Sequence, residues 1–559
     1  MNRGFLFQGN LAFQVPVNVS LACRLLLVAL FVPVVALLVQ QPFVTNDGPV
    51  HVAFSDLLAH WQQPGRELQR EAYDVGIRLD PNLLTYLLMA PLLKLGSAHL
   101  AESVVQALCL VGPVAAGWLA LRTVNRDNAW LAIFLFPLSL NEMFFLGLYN
   151  YCLSTAMFFL AVAAAWHLQK APSLPRAVLL GAALCATLLT HAAGFVAAFL
   201  GLGAMGAARV ALPALRGEGF VAALLRQRHF LLGLAIPLPL LMAASSDGGD
   251  HAIEYGPGPG VRFMIFALLL VLRMASRKEM LYSAAVAGVL FALCAWAVMR
   301  HLRDRDAAPK AGRDAFLATL AALGMALATT FAFPDTFGGG WTHFRRFVLF
   351  PFYWILVLAA LRPVPSRGRL PLFALGGLLA VVSVSFAGQR ETTVRRQLPP
   401  LAAVDPLIGR HCTVLPLVVQ TRPVGPGGHE LWLSYAPYFQ VASRLESRGD
   451  RVVLFNFLAR LTNYPVRFKP HVEPQSLIFG WKPEQEEVAI ERLDIPRFER
   501  TSGLHVDYVM LIGQPASAPP RLQRQIHDVA STAQRVYESP GRSLTLYRRG
   551  PGAGSRCTP

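Results

Sequence analysis

The side chains best able to do chemistry in this chain stand at the edges of long apolar runs, not at their centres. Asp47 and His51 lie in Thr45-Asn46-Asp47-Gly48-Pro49-Val50-His51, just after the first run. Their i, i+4 spacing brings them to one face if a helix starts near Pro49. Asn141 and Glu142 close the third run, Asn150 opens the fourth, and His191 sits at a turn in Leu188-Leu189-Thr190-His191. Asp335, His343, Arg345 and Arg346 lead into a late run, and Asp247, Asp250, His251 and Glu254 occupy a Gly-rich stretch. A carboxylate at a bilayer surface gains basicity through desolvation, and guanidinium forks match phosphate oxygens. A constellation gathered at one membrane face from separate loops is how a site at the outer leaflet would look. Plainer roles exist beside these. Asp47 can shape a Gly-Pro turn, His191 can cap a helix, and Arg345 and Arg346 can anchor a span. Asp247, Asp250 and Glu254 read as a solvated lid, and Phe144, Phe145, Tyr149 and Tyr151 as an interfacial belt.

The elements that must position these residues are membrane spans. The 559 residues are 54% hydrophobic and 15% charged, well below the ordinary charged share of a soluble protein. Runs near the ~20 residues needed to cross a bilayer fall at 19–39, 101–121, 129–146, 150–168, 176–192, 193–211, 229–245, 280–300, 315–333, 347–361 and 370–387. Two shorter, interrupted runs, 82–95 with Pro91 and 261–274 with Arg262 and Arg273, are read as non-spanning. This choice, with the N-terminus in the cytoplasm, puts most short basic loops inside, Arg300 to Arg313 among them. Arg277 and Lys278 then fall outside, against the trend. The net charge of +17 is accounted for by such loops facing anionic lipid, so nucleic acid is not expected as a partner. The fold class is therefore a polytopic α-helical membrane protein of about eleven spans. Residues 1–387 form the membrane domain, with a long first outer loop at 40–100. Residues 388–559 form an extracytoplasmic α/β domain.

In that domain Arg451 to Phe457, Tyr508 to Ile512 and Ser543 to Tyr547 read as strands, and Leu522 to Tyr537 as a helix. It carries no nucleophile elbow, P-loop or metal-binding spacing. Cys412 and Cys557 share an oxidising compartment, which leaves a disulfide open.

In organisation and in several short segments the chain resembles the GT-C superfamily of membrane glycosyltransferases. A first span is followed by a long outer loop opening on an acidic residue, Asp47. That loop ends in a P-x-L-x-x-Y stretch, Pro81-Asn82-Leu83-Leu84-Thr85-Tyr86. Gly147-Leu148-Tyr149-Asn150-Tyr151, Leu189-Thr190-His191-Ala192-Ala193-Gly194-Phe195 and His343-Phe344-Arg345-Arg346-Phe347 are similar to segments of bacterial members. The paired acid found in many members is missing, since Asp47 stands alone. The resemblance implies a polyprenyl-phosphate sugar donor and a glycan, lipid or protein acceptor, in a bacterial-type inner membrane with a periplasmic C-terminal domain. It implies Asp47 and His51 as catalytic residues. Glu142, Asn150, His191, His343, Arg345 and Arg346 would bind substrate, and a divalent metal such as Mg or Mn at Asp47 stays open. The rival readings are a flippase for lipid-linked sugars, which calls for charges at mid-membrane, and a scaffold presenting the soluble domain.

Overall fold

The computed structural model describes residues 19–244, 253–304, 309–336, 342–461, 464–480, 493–552 and 554–558. Asp247, Asp250 and His251 lie outside the described residues. The chain opens with α1 (Val19–Gln40), whose successor loop is structured: α2 (Gly48–His60), α3 (Glu67–Ala72), β1 (Tyr73–Val75) and α4 (Leu84–Leu95). Then come α5 (Ala98–Val124), a 3₁₀ stretch at Arg126–Phe134, α6 (Leu135–Ser139), α7 (Glu142–Phe145), α8 (Tyr149–Lys170), α9 (Leu174–Thr190) and α10 (Ala192–Ala214). The short helices α11 (Phe220–Arg226), α12 (Arg228–Ala235), α13 (Leu238–Ala244) and α14 (Pro259–Ala267) lead to α15 (Arg277–Arg303) and α16 (Lys310–Ala332). The helical part ends with α17 (His343–Phe347), α18 (Leu349–Ala360) and α19 (Ser366–Arg396). Among the described residues seven helical segments are long and apolar enough to cross a membrane, or eight counting the pair bent by 63° at Gln227. The interrupted runs 82–95 and 261–274 form only the short helices α4 and α14, although Pro91 lies inside α4 and Arg262 inside α14. Arg262 on α14 buries its guanidinium by donating to the carbonyls of Pro257, Phe331 and Phe333.

The run 129–146 departs from expectation, because it is not one helix. Asn128 fixes its start by donating to the Ala360 and Arg362 carbonyls, at 3.0 and 2.6 Å. Its far end lies against the loop after α1, where Asn46 N–H donates to the Phe145 carbonyl at 3.1 Å. Asn141 breaks the path by capping α7, accepting from Met143 and Phe144 N–H. A 3₁₀ turn rises ~2.0 Å per residue against ~1.5 Å for an α-helix, so the nine-residue 3₁₀ stretch advances about 18 Å. Every residue from Asn128 to Phe145 is buried. Irregular backbone at membrane depth is tolerated where protein, not lipid, surrounds it.

After α19 the chain forms α20 (Leu401–Val404), β2 (Cys412–Val418), β3 (Arg451–Val453), β4 (Val466–Phe468), α21 (Pro474–Leu477), α22 (Ile495–Ser502), β5 (Tyr508–Ile512), α23 (Pro520–Thr532), β6 (Gln534–Glu538) and β7 (Leu544–Arg548). The sheet order is β3-β2-β5-β7-β6, parallel across β3, β2 and β5 and antiparallel beyond. The expected helix at 522–537 stops at Thr532, because Gln534–Glu538 pairs with β7 instead. Cys412 and Cys557 are joined in a disulfide.

The first loop belongs structurally to this domain as much as to the membrane part. β1 pairs antiparallel with β4 in a separate two-stranded ribbon. Asp450 accepts from Leu68 and Gln69 N–H, capping the start of α3, and Tyr73 donates to the buried Glu446. α19 runs on past the membrane-length stretch, and its polar end reaches the same loop.

Candidate functional site

Asp47 is held by its neighbours one residue at a time. Phe43 exchanges both backbone bonds with the Gln106 amide, at 2.8 and 3.0 Å. Val44 N–H donates to Glu391 at 3.0 Å, and Thr45 Oγ1 meets Tyr149 Oη at 2.9 Å. Asp47 N–H donates to the Leu146 carbonyl at 3.1 Å. Two glycines let these segments touch. A Cβ on Gly48 would fall 2.3 Å from Thr45 Oγ1 and 2.5 Å from both Glu102 Oε1 and Tyr149 Oη. Gly147, at φ +78°, would push a Cβ to 2.7 Å from Gly48 N.

Asp47 occupies the N-cap position of α2 yet its carboxylate does not cap. The sequence explains this. Pro49 removes one N–H of the first turn, and the Val50 and His51 N–H groups bond the Asp47 carbonyl, at 3.0 and 3.1 Å. The carboxylate is thereby left for the site, held by Asn46 Nδ2 at 2.6 Å. It is only 8% exposed. Burial pushes it up to about 7, against the Asn46 hydrogen bond and the Arg346 charge. Burial drives His51 down to about 4, against its hydrogen bond to the Gly147 backbone. With that donor taken, Nδ1 accepts from Tyr86 Oη at 2.8 Å, which assigns the tautomer. His51 thus locks α2 to the Gly147 turn and to Tyr86.

Opposite Asp47 stands Arg346, whose own carbonyl accepts from Tyr151 Oη at 2.7 Å. Among the described residues no carboxylate lies within salt-bridge distance of Arg346, and its buried Nε has no partner. Its Nη1 faces His191 Nε2 at 3.3 Å. Arg345 instead pairs with the buried Glu142, Nη1 to Oε1 at 2.5 Å. His343 is close enough to His191 for their charges to interact. Asn150 commits its side chain to backbone, accepting from Thr85 N–H and donating to the Asn82 carbonyl, both at 2.8 Å. Glu254 meets Thr336 in an isolated bridge, and Asp335 accepts from Phe344 N–H at 3.0 Å, so both frame the entry to α17.

Asp47, His51, His191 and Arg346 therefore converge, with the Arg345–Glu142 pair alongside. The expected aromatic belt is corrected: Phe144, Phe145, Tyr149 and Tyr151 are all fully buried, because their rings and hydroxyls build the site's walls. The surroundings of Asp47 do not fit a divalent cation. One of its two oxygens, Oδ1, accepts from the Asn46 amide, and the charge that acts on it is a guanidinium. The groups of three ligand-type side chains among the described residues, Cys412/Asp507/Cys557 and Glu67/His411/Asp450, do not include it.

Several working residues escaped the sequence reading. Glu102 and Gln106, polar groups inside the second apolar run, carried a usable signal. So did Tyr86, at the end of the P-x-L-x-x-Y stretch. Tyr464, from the C-terminal domain, carried none. Its phenol feels the charges of both Asp47 and Arg346.

No family model and no curated protein sequence matches the chain. Solved structures do. ArnT from Cupriavidus metallidurans bound to undecaprenyl phosphate aligns over 95% of this chain and 100% of its own, with 12% identity and a TM-score of 0.55. ArnT in the apo state aligns over the same shares with 13% identity and a TM-score of 0.43. The oligosaccharyltransferase AglB from Archaeoglobus fulgidus, in complex with an inhibitory peptide and a dolichol-phosphate, aligns over 94% of this chain and 74% of its own, with 13% identity and a TM-score of 0.42. The first likeness establishes a shared fold: a polytopic helical membrane domain with a C-terminal α/β region.

Proposed function

We propose that this chain is a membrane glycosyltransferase that moves a sugar from a polyprenyl-phosphate donor to an acceptor at the extracytoplasmic face. One observation carries the reading. A buried carboxylate with a pKa near 7 faces a guanidinium that has no carboxylate partner among the described residues, in a chain with the fold of ArnT, a protein crystallised bound to undecaprenyl phosphate. Fold alone does not assign chemistry, so the argument rests on these side chains.

In this mechanism ionised Asp47 takes the proton of the acceptor nucleophile as its oxygen or nitrogen bonds the anomeric carbon. The bond from that carbon to the phosphate oxygen breaks, and its electron pair leaves with the polyprenyl phosphate. Arg346 and His191 receive the phosphate charge, which is where fixed donors lower the barrier most. His51, Tyr86 and Gly147 keep Asp47 aimed. Arg345 and Glu142 brace the wall beside Arg346.

The test is purified protein in detergent, incubated with a panel of polyprenyl-phosphate sugars and candidate acceptors. The expected result is release of polyprenyl phosphate by the wild type and none by Asp47→Asn. Release by neither, together with no binding of any polyprenyl phosphate, overturns the reading. Transfer without a bilayer also excludes a pure flippase.

A further inference from the structure

Tyr464, a side chain of the C-terminal domain, lies where the charges of both Asp47 and Arg346 act on it. Its position is built, not incidental. The ribbon pairs Tyr73 with Phe468, Asp74 with Arg467 and Val75 with Val466, and Gly76 N–H extends it by donating to the Pro465 carbonyl at 2.9 Å. The Tyr73 and Phe468 rings stack at 4.7 Å. Tyr464 follows directly, where the ribbon ends above α2. Its ring meets Phe54 edge-on at 6.3 Å and Tyr86 at 6.4 Å. Tyr86 in turn holds His51. On its other side Tyr464 lines a small recess with Arg78, Asp80, Asn82 and Leu83.

Tyr464 is only partly buried, so its phenol tip is accessible to a ligand rather than sealed in packing. In an in-line displacement the nucleophile stands at the base and the leaving phosphate at the cation, so the sugar lies between them. A phenol near both Asp47 and Arg346 therefore faces the sugar, with a ring for its C–H face and a hydroxyl for one of its polar groups.

We infer that Tyr464, brought in by the C-terminal domain, contacts the sugar being transferred and helps set which sugar is accepted; this rests on the glycosyl-transfer reading above. The domain is then part of the donor pocket and not only an appendage for the acceptor.

The experiment compares wild type, Tyr464→Phe and Tyr464→Ala as full chains in detergent. Affinity is measured for sugar-free polyprenyl phosphate and for the same lipid carrying a hexose or a pentose. Tyr464→Phe removes only an oxygen, so folding is not at issue. The expected result is that it lowers the preference for sugar-loaded over sugar-free lipid by about 3- to 10-fold for at least one sugar, the worth of one neutral hydrogen bond. Tyr464→Ala lowers it further, and sugar-free binding stays near the wild-type value in both. Equal losses for loaded and free lipid, or unchanged preferences in both variants, overturn the inference while leaving glycosyl transfer standing. A wild type that binds neither lipid removes the transferase reading and this inference with it.

Discussion

His191 Nε2 and Arg346 Nη1 lie 3.3 Å apart, and both are donors. The reason is local: His191 caps α10, its Nδ1 accepting from Ala193 N–H at 3.1 Å, so the ring proton must sit on Nε2. Two donors do not bond each other. They converge on an oxygen, and an anionic one suits a guanidinium with an unpaired Nε. Arg346→Ala is therefore expected to weaken binding of sugar-free polyprenyl phosphate by about 10- to 100-fold, as loss of a charged hydrogen-bond partner implies. Arg346→Lys should recover only part of it, because an ammonium lacks the planar fork. Lipid titrations in detergent decide the point; unchanged affinity in Arg346→Ala removes the phosphate role.

Asp47 makes two pH predictions of opposite sign. As the base it must be ionised, so kcat/KM should rise with pH and level off above about 7, the value to which burial pushes it. Asp47→Asn should lose about 100- to 10,000-fold in rate while still inserting. For stability the sign reverses. A carboxyl raised from 3.8 to about 7 holds a proton in the native state that the unfolded chain releases. Its contribution to stability is present at low pH and is lost as pH climbs through that interval. Thermal unfolding of Asp47→Asn in detergent should lack this slope. A pH–rate profile without the acidic limb in wild type removes Asp47 as the base.

Most of the membrane helices could be read from apolar run length, because a lipid-facing helix must be apolar for a whole bilayer thickness. The run 129–146 could not. Its residues are apolar because protein surrounds them, and the same composition serves a broken path, here interrupted at Asn141. The site was legible where polarity was anomalous. Asp47, His191 and Arg346 stood out against apolar flanks, and the structure joins them. What the sequence hides is commitment: nothing in it tells that Asn150 is used up by the backbone of 82–85 or that Arg345 answers Glu142 and not an incoming ligand. The strand pair β1–β4 joins segments too distant for local pattern to reveal, so Tyr464 had no signal. In the C-terminal domain helix propensity carried the reading past Thr532, where pairing with β7 decides the outcome.

Arg345 and Arg346 should part company on mutation. Glu142 is buried and its bond to Arg345 is 2.5 Å long. Arg345→Ala strands that carboxylate, and an unsatisfied buried group of this kind costs about 1–3 kcal/mol, less here because Arg345 is partly exposed. The expected phenotype is lower thermal stability and yield, with lipid-phosphate affinity per folded molecule nearly intact. The double variant Arg345→Ala with Glu142→Gln should recover stability. A large affinity loss in Arg345→Ala without loss of stability would instead make Arg345 a phosphate ligand.

The C-terminal domain should govern the chemical step from a distance. Arg444 donates to the fully buried Glu102 at 2.6 Å across 342 positions of sequence. Glu102 also accepts from Tyr149 Oη at 3.1 Å, and Tyr149 grips Thr45, two residues before Asp47. Gly48 sits against all three of these side chains. Removing Arg444 leaves a buried carboxylate that must find water or a new partner, and the nearest movable structure is the Asp47 loop. A shift of ~1 Å in a positioned base costs on the order of 100-fold in rate. Arg444→Ala is therefore expected to lower kcat by that order, to leave sugar-free lipid binding close to wild type, and to move the acidic limb of the pH–rate profile, because the burial of Asp47 changes with its loop. Arg444→Lys should restore part of kcat. A variant that loses stability and lipid binding together, with the limb unmoved, would make Arg444 a fastener of the domain and nothing more.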